Sequence, residues 1–268
     1  MKESNLLLKD KNIIITRSKE QISEVKSIFE ERGAKVLDLP ALIIQFPDDL
    51  GPLDDILKDI SHFNWLIFSS SNGIKFFENR LKQKGLSLQS CVKNIKIAVV
   101  GEKTSQFLKE LNINADFIPP QFIADSLINN FPEPIKGLKI LLPRVQSGGR
   151  NIISQSFVNE GAFVTEVATY ESRCPESIPL ETLVAIKEKK IDAVLFSSGK
   201  TVQNSAFLLE KYFCEEWQII LNDVKFITIG PQTTIACKKY FGRVDKEANI
   251  YTFQGMLDAA IEIFNSED

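Results

Sequence analysis

The chain of 268 residues sets 32 Lys and Arg against 35 Asp and Glu, a net charge of -3, with 44% hydrophobic and 25% charged residues. That balance suits a globular protein of one large domain or two small ones, and it offers nucleic acid neither a global field nor a Lys/Arg-dense run. No apolar stretch approaches a membrane span, and the leucines of MKESNLLLKDKN are too few for a signal peptide, so no membrane contact and a cytoplasmic location are expected.

In chain order, NIIIT from Asn12 reads as a strand, and after Ser18 the apolar residues Ile22, Val25, Ile28 and Phe29 fall on one helical face. Ser18 with Gln21 predicts a capping box, and Gly33 predicts the helix stop. The lone histidine, His62, precedes the strand signal FNWLIF and reads as a turn residue near the surface. That strand runs into SSSNG (Ser69 to Gly73), and IAVVG runs into GEKTS (Gly101 to Ser105). Then ILLP leads to Arg144, AVLFS leads into SSGKT (Ser197 to Thr201), and FITIG leads into GPQTT (Gly230 to Thr234). Short continuous apolar runs of this kind suit parallel strands buried on both faces.

The chain repeats itself. NIIITRSKEQISEVKSIFEERGAKVLDLPAL aligns with LKILLPRVQSGGRNIISQSFVNEGAFVTEVATY, each a strand, a polar turn, a helix, Gly-Ala and a strand. FNWLIFSSSNGIKFF aligns with IDAVLFSSGKTVQNS, and the block around Gly101 aligns with the block around Gly230. Three matched blocks in the same order make a duplicated α/β unit. Strands alternating with helices imply a doubly wound parallel sheet in each half, with the cleft between halves as the expected ligand site.

The tetrapeptide SGKT looks like the end of a phosphate-binding loop, but the first glycine that such a loop requires is Val194, inside a strand. No G-x-G-x-x-G follows any strand, so a dinucleotide fingerprint is also missing. The four hydroxyl-rich turns remain. Ser, Thr and Asn there cap helices and Gly lets the backbone turn; the same strand-end N–H groups and hydroxyls also make anion seats. Candidate anion-binding side chains are Ser70, Ser71, Asn72, Thr104, Ser197, Ser198 and Thr233, with Arg17 and Arg144 at equivalent strand ends of the two repeats. Cys91, Cys174, Cys214 and Cys237 form no CxxC pair, and one histidine cannot build a multi-histidine zinc site, so no metal is expected.

Taken together, ITR (Ile15 to Arg17), FSSSNG (Phe68 to Gly73), VVGEKT (Val99 to Thr104), LLPR (Leu141 to Arg144), GAFVTEVATY (Gly161 to Tyr170), FSSGKTV (Phe196 to Val202) and IGPQTT (Ile229 to Thr234) resemble the uroporphyrinogen-III synthase family from Lys11 to about Ala260. The resemblance implies closure of the linear tetrapyrrole hydroxymethylbilane to uroporphyrinogen III, with loss of water and inversion of the last pyrrole ring through a spiro intermediate. It implies no cofactor, a substrate held by the strand-end turns and the two arginines, and a Tyr170 hydroxyl that assists loss of the substrate hydroxyl. A monomer is expected, with transient hand-over from hydroxymethylbilane synthase.

A cut between the repeats would fall near Pro134, but the resemblance implies a crossover. Residues 1–38 with 173–268 would form one flavodoxin-like domain and 39–172 the other, joined by a two-stranded connector (Leu37 to Pro47 and Val167 to Pro179). On the residues alone, a two-domain small-molecule binding or sensory protein without catalysis stays open.

Overall fold

The computed structural model describes residues 6–17, 22–147 and 151–265. The expected Ser18–Gln21 capping box lies outside them. The chain opens with β1 (Asn12–Thr16), α1 (Ile22–Glu30), β2 (Lys35–Asp38) and β3 (Ile43–Gln45). Next come α2 (Gly51–Lys58), β4 (Trp65–Phe68), α3 (Ser71–Gln83), α4 (Leu88–Cys91), β5 (Lys96–Val99), α5 (Glu102–Glu110) and α6 (Ala124–Asn129). The second repeat supplies β6 (Lys139–Val145), α7 (Ile152–Asn159), β7 (Phe163–Arg173), α8 (Leu180–Lys187), β8 (Ala193–Phe196) and α9 (Gly199–Phe213). It ends with α10 (Glu216–Ile220), β9 (Lys225–Thr228), α11 (Pro231–Phe241), β10 (Lys246–Glu247) and α12 (Phe253–Asn265).

Two compact units result. One holds the described residues up to Ile43 and from Arg173 onward; the other runs from Ile44 to Ser172. Residues 39–43, expected with the second domain, group with the first unit, although Ile43 opens β3, a strand of the second unit's sheet. Leu39 and Ala41 are buried there, and the Asn204 side chain donates to the Ala41 carbonyl at 2.7 Å.

The first unit's sheet has the order β10-β9-β8-β1-β2 and the second's β3-β7-β6-β4-β5. Read from β2, the first is the flavodoxin order 2-1-3-4-5. Strands β9-β8-β1-β2 match β5-β4-β6-β7 one for one, each lying where its repeat counterpart lies. Each sheet therefore takes two of these strands from the first repeat and two from the second.

The apolar runs explain the layers. All four residues of β4 and all four of β8 are buried, as strands covered on both faces must be. In the first unit, Ile13, Ile15, Val25 and Phe29 pack with Met256 and Ala260 on one side of the sheet. On the other side, Ile14, Val194, Phe196 and Phe226 pack with Leu208 and Trp217. Burying each of the larger aliphatic and phenylalanine side chains contributes about 1.5–3 kcal/mol. The second unit repeats this arrangement, with Leu66, Phe68, Phe77 and Leu81 on one side and Trp65, Ile140 and Phe157 on the other. Gly33 follows α1 at φ 90, a left-handed turn that ends the helix where expected.

One ion pair ties α2 to α3. Arg80 donates from Nε and Nη2 to Asp54 at 2.7 and 2.6 Å, and Lys84 lies 2.8 Å from the same carboxylate. The Arg80 hydrogen bonds hold the Asp54 carboxyl well below the usual carboxylate range. A depressed folded-state pKa contributes stability above the unfolded value, near 3.9, and loses it as pH falls toward the folded one. Asp54→Asn should therefore cost about 1–3 kcal/mol near neutral pH, with the gap from wild type closing as the pH drops below about 4. Chemical denaturation across pH checks this, and a gap that ignores pH would assign the loss to packing.

Candidate active site

Parallel sheets bind ligands beyond the carboxyl ends of their strands, at the point where strand order reverses. In the first unit that point lies between β1 and β8. Arg17 follows β1, and Ser197 and Ser198 follow β8. In the second unit the point lies between β6 and β4, where Arg144 ends one strand and Ser69 and Ser70 follow the other. The duplicated motifs therefore reach equivalent places in the two sheets.

The second unit's site centres on Tyr170, half-buried near the end of β7. Its hydroxyl lies 3.0 Å from the Ser70 hydroxyl. Ser70 is the N-cap of α3 and accepts the Gly73 N–H at 3.1 Å. Because that bond uses a lone pair, the Ser70 proton can go to the Tyr170 oxygen, leaving the phenol proton free for a ligand. Phe76, also on α3, stacks on the Tyr170 ring with centroids 5.9 Å apart and planes 25° apart, and Phe46 meets Phe76 edge-on at 4.9 Å. Helix α3 thus fixes the tyrosine at both ring and hydroxyl.

Arg144 stands beside it. Its Nη1 donates to Glu166 Oε1 at 2.6 Å, with the arginine side chain 18% exposed. A β-bulge falls between Arg144 and Val145, and the Gln146 N–H donates to the Tyr170 carbonyl at 2.8 Å. A pocket of about 80 Å3 is lined by Ser69, Pro143, Arg144, Glu166 and Tyr170. Arg144, Glu166, Gln146 and Asn151 also line a neighbouring cavity of about 420 Å3.

The other expected residues divide by what their hydroxyls already do. Ser71 and Asn72 stand half-buried in the first turn of α3, beside Ser70. Thr104 is 4% exposed in the first turn of α5, so a bulky residue there would strain the core. Ser198 caps α9 by accepting the Thr201 N–H at 3.2 Å, and Ser197 donates to the Thr16 carbonyl at 3.3 Å. Thr233 is buried in the first turn of α11. Arg17 lies over the Phe253 ring, 4.3 Å from its centroid. Capping thus occupies Ser70 and Ser198, Glu166 holds Arg144, and the Phe253 ring seats Arg17.

Other chemistries find little support in this arrangement. His62 pairs with Asp59 just before β4, at the amino end of the sheet, away from the strand-end turns. Burial pushes the Cys237 thiol up to about 12 and raises Cys174 as well, so neither is a ready thiolate. Among the described residues no group of three His, Cys, Asp or Glu could hold a metal ion, and no helix is long and apolar enough to cross a membrane. Gly199, Lys200 and Thr201 open α9, with Val194 buried inside β8 where a phosphate loop would need glycine. ATP or GTP should show no saturable binding, with Lys200→Ala unchanged in the same titration. Micromolar binding abolished by that substitution would overturn this view of the turn.

Sequence reasoning missed Glu166, Phe76 and Phe46. Glu166 sits 22 residues from Arg144 and reads locally as an outward polar position of a strand; only the β6–β7 register, which places Leu142 opposite Glu166, brings the pair together.

Known proteins resemble this chain along most of its length. The family model described as uroporphyrinogen-III synthase HemD matches residues 23–258. The uroporphyrinogen-III synthase of Synechococcus elongatus is 41% identical over 249 residues, covering 92% of this chain and 93% of that protein. Among solved structures, uroporphyrinogen-III synthetase from Helicobacter pylori superposes with a TM-score of 0.63 at 18% identity, covering 94% of this chain and 99% of that one. A mutant uroporphyrinogen III synthase from Thermus thermophilus gives 0.61 at 14% identity, covering 96% and 100%. At those identities the two structures speak for the fold, whereas the family match and the Synechococcus relative speak for descent. The chain belongs to the uroporphyrinogen-III synthase family.

Proposed function

We infer that this protein closes hydroxymethylbilane to uroporphyrinogen III in tetrapyrrole biosynthesis, as a lyase that removes water. The observation that carries the chemistry is the Tyr170 hydroxyl, held by Ser70 and set beside Arg144 at a strand-order reversal. In this reading Tyr170 gives a proton to the departing hydroxyl, which leaves as water, and the ring proton lost from the far pyrrole at final closure restores the phenol. The azafulvenium cation left behind is attacked by the substituted carbon of the far pyrrole. The spiro intermediate then fragments and recloses with that ring inverted.

The substrate is polycarboxylated and the protein carries a net charge of -3, so local donors must hold it. Arg17 and Arg144 supply charge-assisted bonds, and Ser71, Asn72, Thr104, Ser197 and Thr233 line the strand ends. Ser70 and Ser198 act by fixing helix starts, and Ser70 also orients Tyr170. No step needs a cofactor. Because hydroxymethylbilane closes unaided to isomer I, the main task is to fold a flexible chain one way, an entropic problem of positioning. The same instability favours prompt hand-over from hydroxymethylbilane synthase to a monomeric, cytoplasmic enzyme. A non-catalytic binding protein would leave the product unchanged. Incubating the purified protein with freshly generated hydroxymethylbilane should yield isomer III; isomer I alone, at the spontaneous rate, would refute the reading.

A further inference from the structure

The segment after β10 carries a feature that the reaction as described does not use. Thr252 donates its N–H to the Ile250 carbonyl at 2.7 Å, and its own hydroxyl and carbonyl accept the N–H groups of Gly255 and Met256, each at 3.1 Å. The turn is so tight that a Cβ on Gly255 would stand 2.1 Å from the Ile250 oxygen, a position no side chain can share. Held at the crown of this turn is Tyr251, with 63% of its surface exposed.

The ring has a fixed seat. A Cβ on Gly230 would lie 3.1 Å from Tyr251 Cδ1 and 3.3 Å from Cγ, so one side of the tyrosine rests on the glycine that follows β9. Among the described residues, the counterpart in the other repeat, Gly101, meets only the Thr104 hydroxyl, at 3.5 Å, and has no aromatic ring against it. Two residues beyond Tyr251, Phe253 seats the Arg17 guanidinium. One locked turn therefore presents an open aromatic ring over the end of β9 and anchors a cation that comes from the end of β1. Those strands are separated by β8 alone, a span of about 10 Å.

We infer that Tyr251 is a stacking platform for one pyrrole ring of the substrate, with a carboxylate of the tetrapyrrole reaching Arg17. The inference rests on the functional reading above. A pyrrole offers an electron-rich face and an N–H edge, and an aromatic ring already fixed in place binds such a face at little cost in lost motion. The ring is what matters, and the hydroxyl is dispensable. The platform belongs to binding and makes no contact with the departing hydroxyl.

The test compares Tyr251→Ala, Tyr251→Leu and Tyr251→Phe in initial-rate assays with freshly generated hydroxymethylbilane. Removing one stacked ring should raise KM about three- to tenfold in the Ala and Leu variants, with kcat within about twofold, while Tyr251→Phe matches wild type. Leucine keeps the apolar contact with Gly230, so its melting temperature should stay at the wild-type value and a folding defect cannot mimic the result. Wild-type turnover to isomer III together with unchanged KM in the Ala and Leu variants would overturn the inference alone. So would a Tyr251→Phe variant as impaired as Tyr251→Ala, since the hydroxyl would then be the active part. A wild-type protein that produces no isomer III would instead remove the functional reading beneath it.

Discussion

Expressed alone, residues 44–172 should unfold cooperatively, and residues 1–134 should not. The longer first-repeat fragment keeps β4 and β5 but loses β6 and β7, and it keeps β1 and β2 but loses β8. Its two partial sheets would expose strand edges whose side chains are almost fully buried, Ile13 to Ile15 in one and Trp65 to Phe68 in the other. Such edges pair with other chains more readily than with solvent. Residues 44–172 hold β4 to β6 and all of β7 but its last residue, with both core layers around them. Denaturant titrations followed by circular dichroism and fluorescence check both fragments. A cooperative transition for 1–134 with none for 44–172 would mean that the folding units follow the repeats and that the shared sheets form late.

Tyr170→Phe should lower kcat while leaving KM close to wild type. Removing a general acid typically costs on the order of 10²–10⁴-fold. Here the expected loss is about a hundredfold or less, because the substrate ionises unaided and a phenol is a weak acid. Phenylalanine keeps the stack on Phe76, so the ring stays in place and only the hydroxyl contact with Ser70 disappears. Steady-state kinetics separates the two parameters; a large rise in KM with kcat unchanged would make Tyr170 a binding residue only.

The strands and the duplication were legible because a fully buried parallel strand is written as an unbroken apolar run. WLIF, AVLF and NIIIT needed no context. Which strands share a sheet was not legible, since an apolar run says that a strand is covered on both faces and nothing about its neighbours. The exchange of strands between repeats came from family resemblance, and the ordering of β9-β8-β1-β2 against β5-β4-β6-β7 needs coordinates. The limit at Ile43, a few residues from the expected one, has no local signature either. Asn204 lies inside a helix, and its bond to the Ala41 carbonyl joins positions far apart in the chain.

In the site, the caps were the legible part, because Ser70 and Ser198 act within their own next turn. Glu166 and Tyr251 were hidden. One becomes Arg144's partner only through strand register, and the other finds its seat only because β10 lies beside β9. The tight approach at Gly255 has no local signature either, since glycine in a helix start usually reads as a neutral cap or a weak position.

We propose that the site steers ring closure chiefly by holding the substrate's pose. The most direct measurement is the ratio of isomer III to isomer I, resolved chromatographically after oxidation to the porphyrins. It should be taken for wild type, Tyr170→Phe and the double variant Arg17→Ala/Arg144→Ala. Positioning predicts that Tyr170→Phe turns over slowly but still yields mostly isomer III, while the double-arginine variant releases a greater share of isomer I. If Tyr170→Phe gives isomer I alone at the spontaneous rate, the hydroxyl is indispensable and pose is not what the site controls.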